Sequence, residues 1–191
     1  PTFAGKLENS TWSANKNTEM VIICRSAVLD IAKKYAAYKN LSLPTTIVTT
    51  EQIMNQFSGG KQDVTAIRNY LFTLYHWTDR KLKYALIWGD ASIDYKGKST
   101  VASSVEKLTY VPTYQSRESS QPLASYASDD YFGMLDSLSG DWTEGFEIRQ
   151  KNMQIAVGRI PVRNPTDAQA IVNKLIAYQE LQKTGLPKWL Q

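Results

Sequence analysis

The sequence contains a single cysteine and a single histidine among 191 residues. One cysteine excludes a disulfide within the chain, and it excludes a cysteine-rich zinc site. Long apolar runs are also missing, since the longest, such as residues 20–24, have the length of a strand and not of a membrane span. We therefore expect no direct membrane insertion, and the cysteine content indicates no particular compartment.

Clustered positive charge is the next missing feature. The chain carries 22 Lys and Arg against 18 Asp and Glu, for a net charge of +4, and never three basic residues in a row. A nucleic-acid-binding surface gathers its basic residues on one face or stripe. The pattern predicts an ordinary basic surface and no nucleic-acid partner, on a chain whose 42% apolar content is typical of a folded domain.

Familiar cofactor and nucleophile motifs are absent as well. The first apolar run is followed by Cys24-Arg25-Ser26, which is not the glycine-rich turn of a dinucleotide-binding fold. A P-loop does not fit Gly60-Lys61-Gln62, because Gln62 takes the Ser/Thr position and Asn55 the position of the earlier glycine. There is no G-x-S-x-G nucleophile elbow, and no carboxylates follow the first strand.

What the sequence does contain is an alternation of strand and helix patterns. Apolar, strand-like runs occupy residues 20–24, 45–50, 84–88 and 153–160, and helical patterns occupy 29–40, 51–57, 63–77 and 165–182. Asp63 and Asn164 are suited to cap helices, and Pro165 to the first helical position. The alternation predicts an α/β fold, a parallel β-sheet with helices on both faces.

The remaining segments divide the chain. Residues 89–129 form a long irregular stretch, a length that is uncommon in compact domains unless it is functional. We expect a short strand at Tyr131–Leu135 and a turn-rich insertion at 137–145. The domain prediction is a lead-in segment at 1–19, an α/β sub-domain at 20–182 and a linker at 183–191. Because the chain starts without Met and stops soon after a helix, we expect it to be part of a longer polypeptide.

The only cysteine and the only histidine invite the hypothesis of a nucleophile–base dyad. Such a dyad needs the two side chains within hydrogen-bonding distance. Cys24 ends the first strand, whereas His76 lies near the end of a helix that runs back to the opposite edge, a length of roughly 20 Å. We therefore predict that Cys24 is a buried structural residue and His76 a surface residue.

Acidic residues are concentrated around the predicted carboxyl edge of the sheet, where ligands of open α/β sheets bind. The five candidates for metal ligands are Asp90, Asp94, Asp129, Asp130 and Asp136. Convergent carboxylates and carbonyls suit Ca²⁺, which is the predicted cofactor. The alternative is that each aspartate caps its own turn or helix, since no loop of fixed metal-ligand spacing is present.

Five segments, in order along the chain, carry a family resemblance. They are FSGGKQDVTAIRNY at 57–70, YALIWGDASIDYKG at 84–97, YVPTYQS at 110–116, SYASDDYFGMLD at 125–136 and IAVGRIPV at 155–162. Together with the helix after Pro165, they resemble the type IX secretion system sortases of the gingipain-type cysteine peptidase family. The resemblance covers about residues 20–182, the first half of the family's catalytic domain.

The resemblance implies a caspase-like fold of two sub-domains in a cell-surface, outer-membrane-associated enzyme. Such an enzyme removes C-terminal sorting signals from secreted protein cargo, and related gingipains bind calcium. The family's catalytic His and Cys lie in the second sub-domain, which is the expected partner of this one. Because no histidine follows His76 and no cysteine follows Cys24, no position here can receive those roles.

Two alternatives remain beside a catalytically silent peptidase sub-domain. The chain could be a self-sufficient α/β binding module with a calcium or small-ligand site at the carboxyl edge. It could also be a hydrolase that uses Cys24. The first alternative predicts a ligand at the edge, and the second predicts turnover that depends on the thiol.

Overall fold

A four-stranded parallel sheet forms the centre of the structure, a computed structural model that describes residues 15–92, 94, 110–116, 120, 121, 123, 125–136 and 152–185. The strands in chain order are β1 (Met20–Cys24), β2 (Thr45–Thr49), β3 (Tyr84–Trp88), β4 (Tyr114–Gln115), β5 (Ala127–Ser128) and β6 (Ala156–Ile160). The sheet has the order β2-β1-β3-β6, with every pair parallel. The remaining strands, β4 and β5, form a separate antiparallel pair.

Helices cover both faces of the sheet, as the sequence predicted. They are α1 (Leu29–Lys39), α2 (Thr50–Phe57), α3 (Val64–Trp77) and α4 (Pro165–Thr184), with short 3-10 helices at Ser26–Val28 and Asp130–Phe132. Successive side chains of β1 point to opposite faces, as in any strand. Val21 and Ile23 therefore pack in the core under α2 and α3, while Ile22 and Cys24 pack under α1 and α4.

Local capping fixes where the helices start. The Asp63 carboxylate accepts a hydrogen bond from the Thr65 N–H at 2.8 Å, and the Asn164 side chain accepts one from the Asp167 N–H at 2.9 Å. Both predicted caps are confirmed. Each side chain satisfies a backbone donor that the helix itself leaves without a partner.

Two strand predictions need correction. The prediction of a strand at Tyr131–Leu135 is wrong, because residues 130–132 form a 3-10 helix in which the Phe132 N–H bonds to the Asp129 carbonyl. The last strand begins at Ala156 rather than Met153, since the Gln154 N–H bonds to the Gly133 carbonyl outside the sheet. Both segments are apolar and buried without being strands, which periodicity over so few residues does not distinguish.

Some predictions fall outside the described residues. These are most of the lead-in segment at 1–19, the insertion at 137–145, much of the irregular stretch at 89–129 and most of the linker at 183–191; α4 itself continues to residue 184. The domain boundaries therefore stay predictions. Within the described part of the chain, none of the helices combines the length and the hydropathy needed to cross a bilayer.

Candidate functional site at the carboxyl edge of the sheet

The edge where β1, β2, β3 and β6 end is the candidate functional site. The strand register places Cys24 beside both Thr49 and Trp88, and it places Trp88 beside Ile160. From β1 the chain passes to β2 on one side and then crosses to β3 on the other, so the strand order reverses between β1 and β3. Open α/β sheets bind ligands in the crevice outside such a reversal.

The structure separates Cys24 from His76. Cys24 is completely buried in the core under α1 and α4, and this burial, with a smaller contribution from the charge of Glu51, raises the pKa of its thiol to about 12. His76 is exposed on the last turn of α3, on the other face, where its Nδ1 lies 2.9 Å from the Phe72 carbonyl oxygen. The prediction that the two form no dyad is confirmed.

Glu51, in the first turn of α2, ties the ends of β1 and β2 together. One carboxylate oxygen accepts from Arg25 Nε at 2.7 Å and from Ser26 Oγ at 3.1 Å. The other accepts from the Ser26 N–H and from Thr50 Oγ1, both at 3.2 Å. Each oxygen thus has two donors, and we interpret the carboxylate as a structural link between two strand ends.

An ion pair between Arg159 and Asp129 lies on the β6 side of the edge. Arg159 Nε is 2.7 Å and Nη2 is 2.8 Å from the two carboxylate oxygens, the bidentate geometry that arginine forms with carboxylates. Thr113 Oγ1 donates to the same carboxylate at 2.7 Å. The side chains are only 13% and 22% exposed, so water screens the pair weakly.

The remaining donors of Arg159 go to main-chain oxygens. Nη1 donates to the carbonyls of Gly89 at 2.9 Å and Val111 at 3.0 Å, and Nη2 donates to that of Pro112 at 3.3 Å. One guanidinium thereby joins β6, the end of β3 and the irregular segments around residues 111 and 129. Arginine can do this because its five N–H donors spread in a rigid plane.

Arg68 of α3 plays a similar part farther along the chain. Its Nε donates to the Met134 carbonyl at 2.9 Å and its Nη2 to the Asp136 carbonyl at 3.4 Å. The guanidinium also lies over the Tyr131 ring, 5.8 Å from its centroid. Arg68 is buried, and these contacts compensate for the cost of removing its charge from water.

Sequence reasoning missed both arginines, although a signal was present. Arg159 is the one charged residue of β6, within an otherwise apolar run, and Arg68 directly follows the buried Ile67 on α3. A charge inside an apolar element needs a partner, because an unpaired buried charge is costly. That signal predicts a counter-ion without saying which carboxylate it is.

The predicted metal ligands Asp90 and Asp130 have structural roles. The Asp90 carboxylate accepts from the Ala91 N–H at 2.9 Å and pairs with Arg163 Nε at 3.3 Å. Asp130 begins the short 3-10 helix, and its N–H donates to Ser128 Oγ at 3.2 Å. Both aspartates therefore serve turns and helix starts, which the sequence analysis held open as the alternative.

Asp94 and Asp136 lie at the limits of described segments. The Asp94 N–H donates to Ser92 Oγ at 3.1 Å, forming a local turn. The Asp136 carbonyl accepts from Arg68, as described above. Neither arrangement brings these two residues together with Asp129, whose carboxylate is taken up by Arg159 and Thr113.

The described residues do not fit a calcium site. Within the described ranges, no three His, Cys, Asp or Glu side chains are arranged to hold a metal ion. Ca²⁺ takes six to eight oxygen ligands, with several carboxylates turned toward one point. Here one arginine neutralises Asp129 and another pairs with Asp90. Calcium binding by the five aspartates stays a prediction, which melting experiments decide.

Thermal unfolding of Asp129→Asn, with and without millimolar Ca²⁺, distinguishes the two roles of this carboxylate. As the counter-ion of Arg159, Asp129 is expected to lower the melting temperature on substitution by the same amount in both conditions. A calcium ligand would instead make the loss depend on calcium, because a ligand of the folded state alone raises its stability. A Ca²⁺-dependent rise in the wild type that Asp90→Asn and Asp129→Asn both reduce would restore the calcium site.

Comparison with known proteins agrees with this geometry. The model of peptidase family C25 matches residues 13–191. The crystal structure of dimeric latent PorU from Porphyromonas gingivalis is 30% identical to this chain, with a TM-score of 0.69. That of the Arg-specific cysteine proteinase gingipain R is 18% identical, with a TM-score of 0.56. No curated protein sequence matches.

The lengths compared are unequal. Each superposition covers 87% of this chain, but only 16% of the PorU chain and 29% of the gingipain R chain. The likeness to gingipain R, at its low identity, concerns the fold alone, and it confirms the caspase-like α/β architecture. Because the family model spans more than half of the residues, the chain is a member of peptidase family C25, the gingipain-type cysteine peptidases.

Proposed function

We propose that this chain is the first, non-catalytic half of the catalytic domain of a gingipain-type cysteine endopeptidase. The observation that carries the proposal is the state of Cys24, the only thiol of a chain from a cysteine peptidase family, which is buried and far from the only histidine. With a pKa of about 12, roughly one thiol in 10⁵ is ionised at pH 7, and the thiolate is the nucleophile. The catalytic groups must then come from elsewhere.

We further propose that the parent enzyme is a sortase of the type IX secretion system, acting on C-terminal sorting signals of secreted cargo at the cell surface. The 30% identity to PorU over 87% of this chain supports this narrower assignment over gingipain R, at 18%. The proposed partner of the chain is a second sub-domain, in which one strand is followed by the catalytic His and another by the catalytic Cys.

The purified chain is expected to have no peptidase activity of its own, because it offers no ionised thiol and no adjacent base. We would measure hydrolysis of fluorogenic peptides with varied P1 residues, beside a Cys24→Ala variant. Background rates that are equal in the two proteins support the proposal. Turnover by the wild type that disappears in Cys24→Ala would show that Cys24 is catalytic after all.

A second measurement tests the proposed partner. The chain is co-expressed with the polypeptide that its gene encodes after residue 191, and peptide hydrolysis is measured on the complex. Activity is expected to appear, and to depend on a cysteine of the added part and not on Cys24. A complex that forms and contains a paired His and Cys but hydrolyses no peptide of the panel would contradict the assignment as a peptidase half.

A further inference from the structure

The irregular segments at the carboxyl edge have little regular structure of their own. We call residues 110–116 and 125–129 the edge segment. Its two strands pair over two residues each, with one further main-chain bond from the Ser116 N–H to the Tyr126 carbonyl. An isolated two-stranded pair is at most marginally stable in water. The edge segment must therefore obtain its order from contacts with the sheet.

Those contacts converge on one side chain. Arg159 makes five hydrogen bonds, of which four go to the edge segment and one goes to Gly89 at the end of β3. Main-chain support comes from the Val111 N–H, which donates to the Asp90 carbonyl at 3.0 Å, and Val111 is itself fully buried. Arg159 thus binds both ends of the segment, at residues 111–112 and at residue 129.

We propose that Arg159 and Asp129 are positioning residues that lock the edge segment onto the sheet as a unit that opens separately from the core. Lysine cannot replace this arginine, because one ammonium group cannot reach a carboxylate and three carbonyls in one plane. The lock is a property of this chain. Its importance for turnover rests on the proposed function, in which the carboxyl edge belongs to the catalytic domain of a peptidase.

The neighbouring residues 131–136 are held differently, which gives the proposal an internal control. Phe132 and Leu135 are fully buried in the core under α2 and α3. Arg68 binds two of the carbonyls in this stretch, and the Gly133 carbonyl accepts from the Gln154 N–H at 2.8 Å. Loss of the Arg159 lock should consequently free the edge segment and leave residues 131–136 in place.

Amide hydrogen exchange of this chain, resolved by residue, tests the lock in Arg159→Lys and Asp129→Asn. We expect the Val111 and Ser116 amides to exchange about 100-fold faster than in the wild type, since breaking a largely buried ion pair is strongly destabilising. The amides of Ile23 in β1 and of Gln154 should keep their rates. Arg163→Lys is the matched control, because its pair with Asp90 is exposed and should leave all four rates unchanged.

Two results of this experiment would overturn the lock. One is unchanged exchange at Val111 and Ser116 in both variants. The other is equal acceleration at Ile23, which would mean that the pair holds the whole fold and that the edge segment has no opening of its own. Neither result depends on whether the parent protein is a peptidase.

Kinetics of the full-length enzyme test the positioning role, at a temperature well below unfolding. If the wild type cleaves peptides, Arg159→Lys is expected to lower kcat at least about tenfold and to change KM less than twofold, since the pair orders the edge without contacting substrate. Full kcat in a variant whose edge segment is shown to open would overturn the positioning role. An inactive wild type would contradict the proposed function and leave the lock, tested by exchange, as it stands.

Discussion

Replacing Trp88 with alanine is expected to lower the free energy of unfolding by about 3–5 kcal/mol, a typical cost for removing a buried large aromatic side chain. Trp88 ends β3 and is completely buried among the side chains under α1 and α4. Its ring stacks on Tyr35 of α1, with 5.7 Å between the centroids. The substitution would leave a cavity between the sheet and α1 that neighbouring side chains cannot fill.

Chemical denaturation followed by circular dichroism measures this loss, and Trp77→Ala is the matched control. Trp77 ends α3 with 46% of its surface exposed and lies under the Lys16 ammonium group. Its removal is expected to cost about 1 kcal/mol or less, as for most surface substitutions. Similar losses at the two positions would contradict the burial that the structure assigns to Trp88.

Replacing Gly133 with alanine is expected to cost about 1–3 kcal/mol, because the added methyl group has no room. Gly133 follows the short 3-10 helix, and its backbone angles, φ −88° and ψ −14°, suit any residue. A β-carbon there would lie 2.8 Å from the Ile155 carbonyl oxygen and 3.2 Å from Val157 Cγ2, and it would collide with Met153 Cε. The methionine can move aside, but the main-chain oxygen cannot move without disturbing the entry to β6.

Gly158→Ala provides the same chemical change in open surroundings. In that variant the β-carbon on β6 would meet only Leu86 Cδ1, at 3.8 Å, which is an ordinary contact. We expect no loss of stability there and a gain of up to about 1 kcal/mol, since glycine weakens a strand interior. Thermal unfolding of the two variants side by side gives the comparison. A Gly133→Ala protein as stable as Gly158→Ala would show that residues 133 and 155 are not in close approach.

Most of the secondary structure followed from local sequence. The runs at β1, β2 and β3 are apolar and short, and the helix caps Asp63 and Asn164 act on backbone groups two or three residues away. Such interactions are complete within a few positions, so a sequence pattern suffices to predict them. The parallel order of the sheet then follows from the alternation of strands and helices.

The edge of the sheet was predicted less well. The aspartates were correctly placed near the carboxyl ends of the strands, yet the structure gives Asp129 an arginine from β6, 30 residues away, as its partner. Asp90 pairs with Arg163 across 73 positions. Which charges meet depends on the path of the irregular segments between them, and no local pattern specifies that path.

The sequence by itself thus determined the strands, the helices, the faces they bury and the absence of a catalytic pair, because apolar periodicity and residue inventory are local properties. Only the tertiary structure decided that Cys24 is too deeply buried to ionise, that residues 130–132 form a helical turn, and that Arg159 joins residues 89, 111, 112 and 129. These outcomes depend on burial and on distances between remote segments. Both quantities arise only when the sheet and its covering layers are assembled.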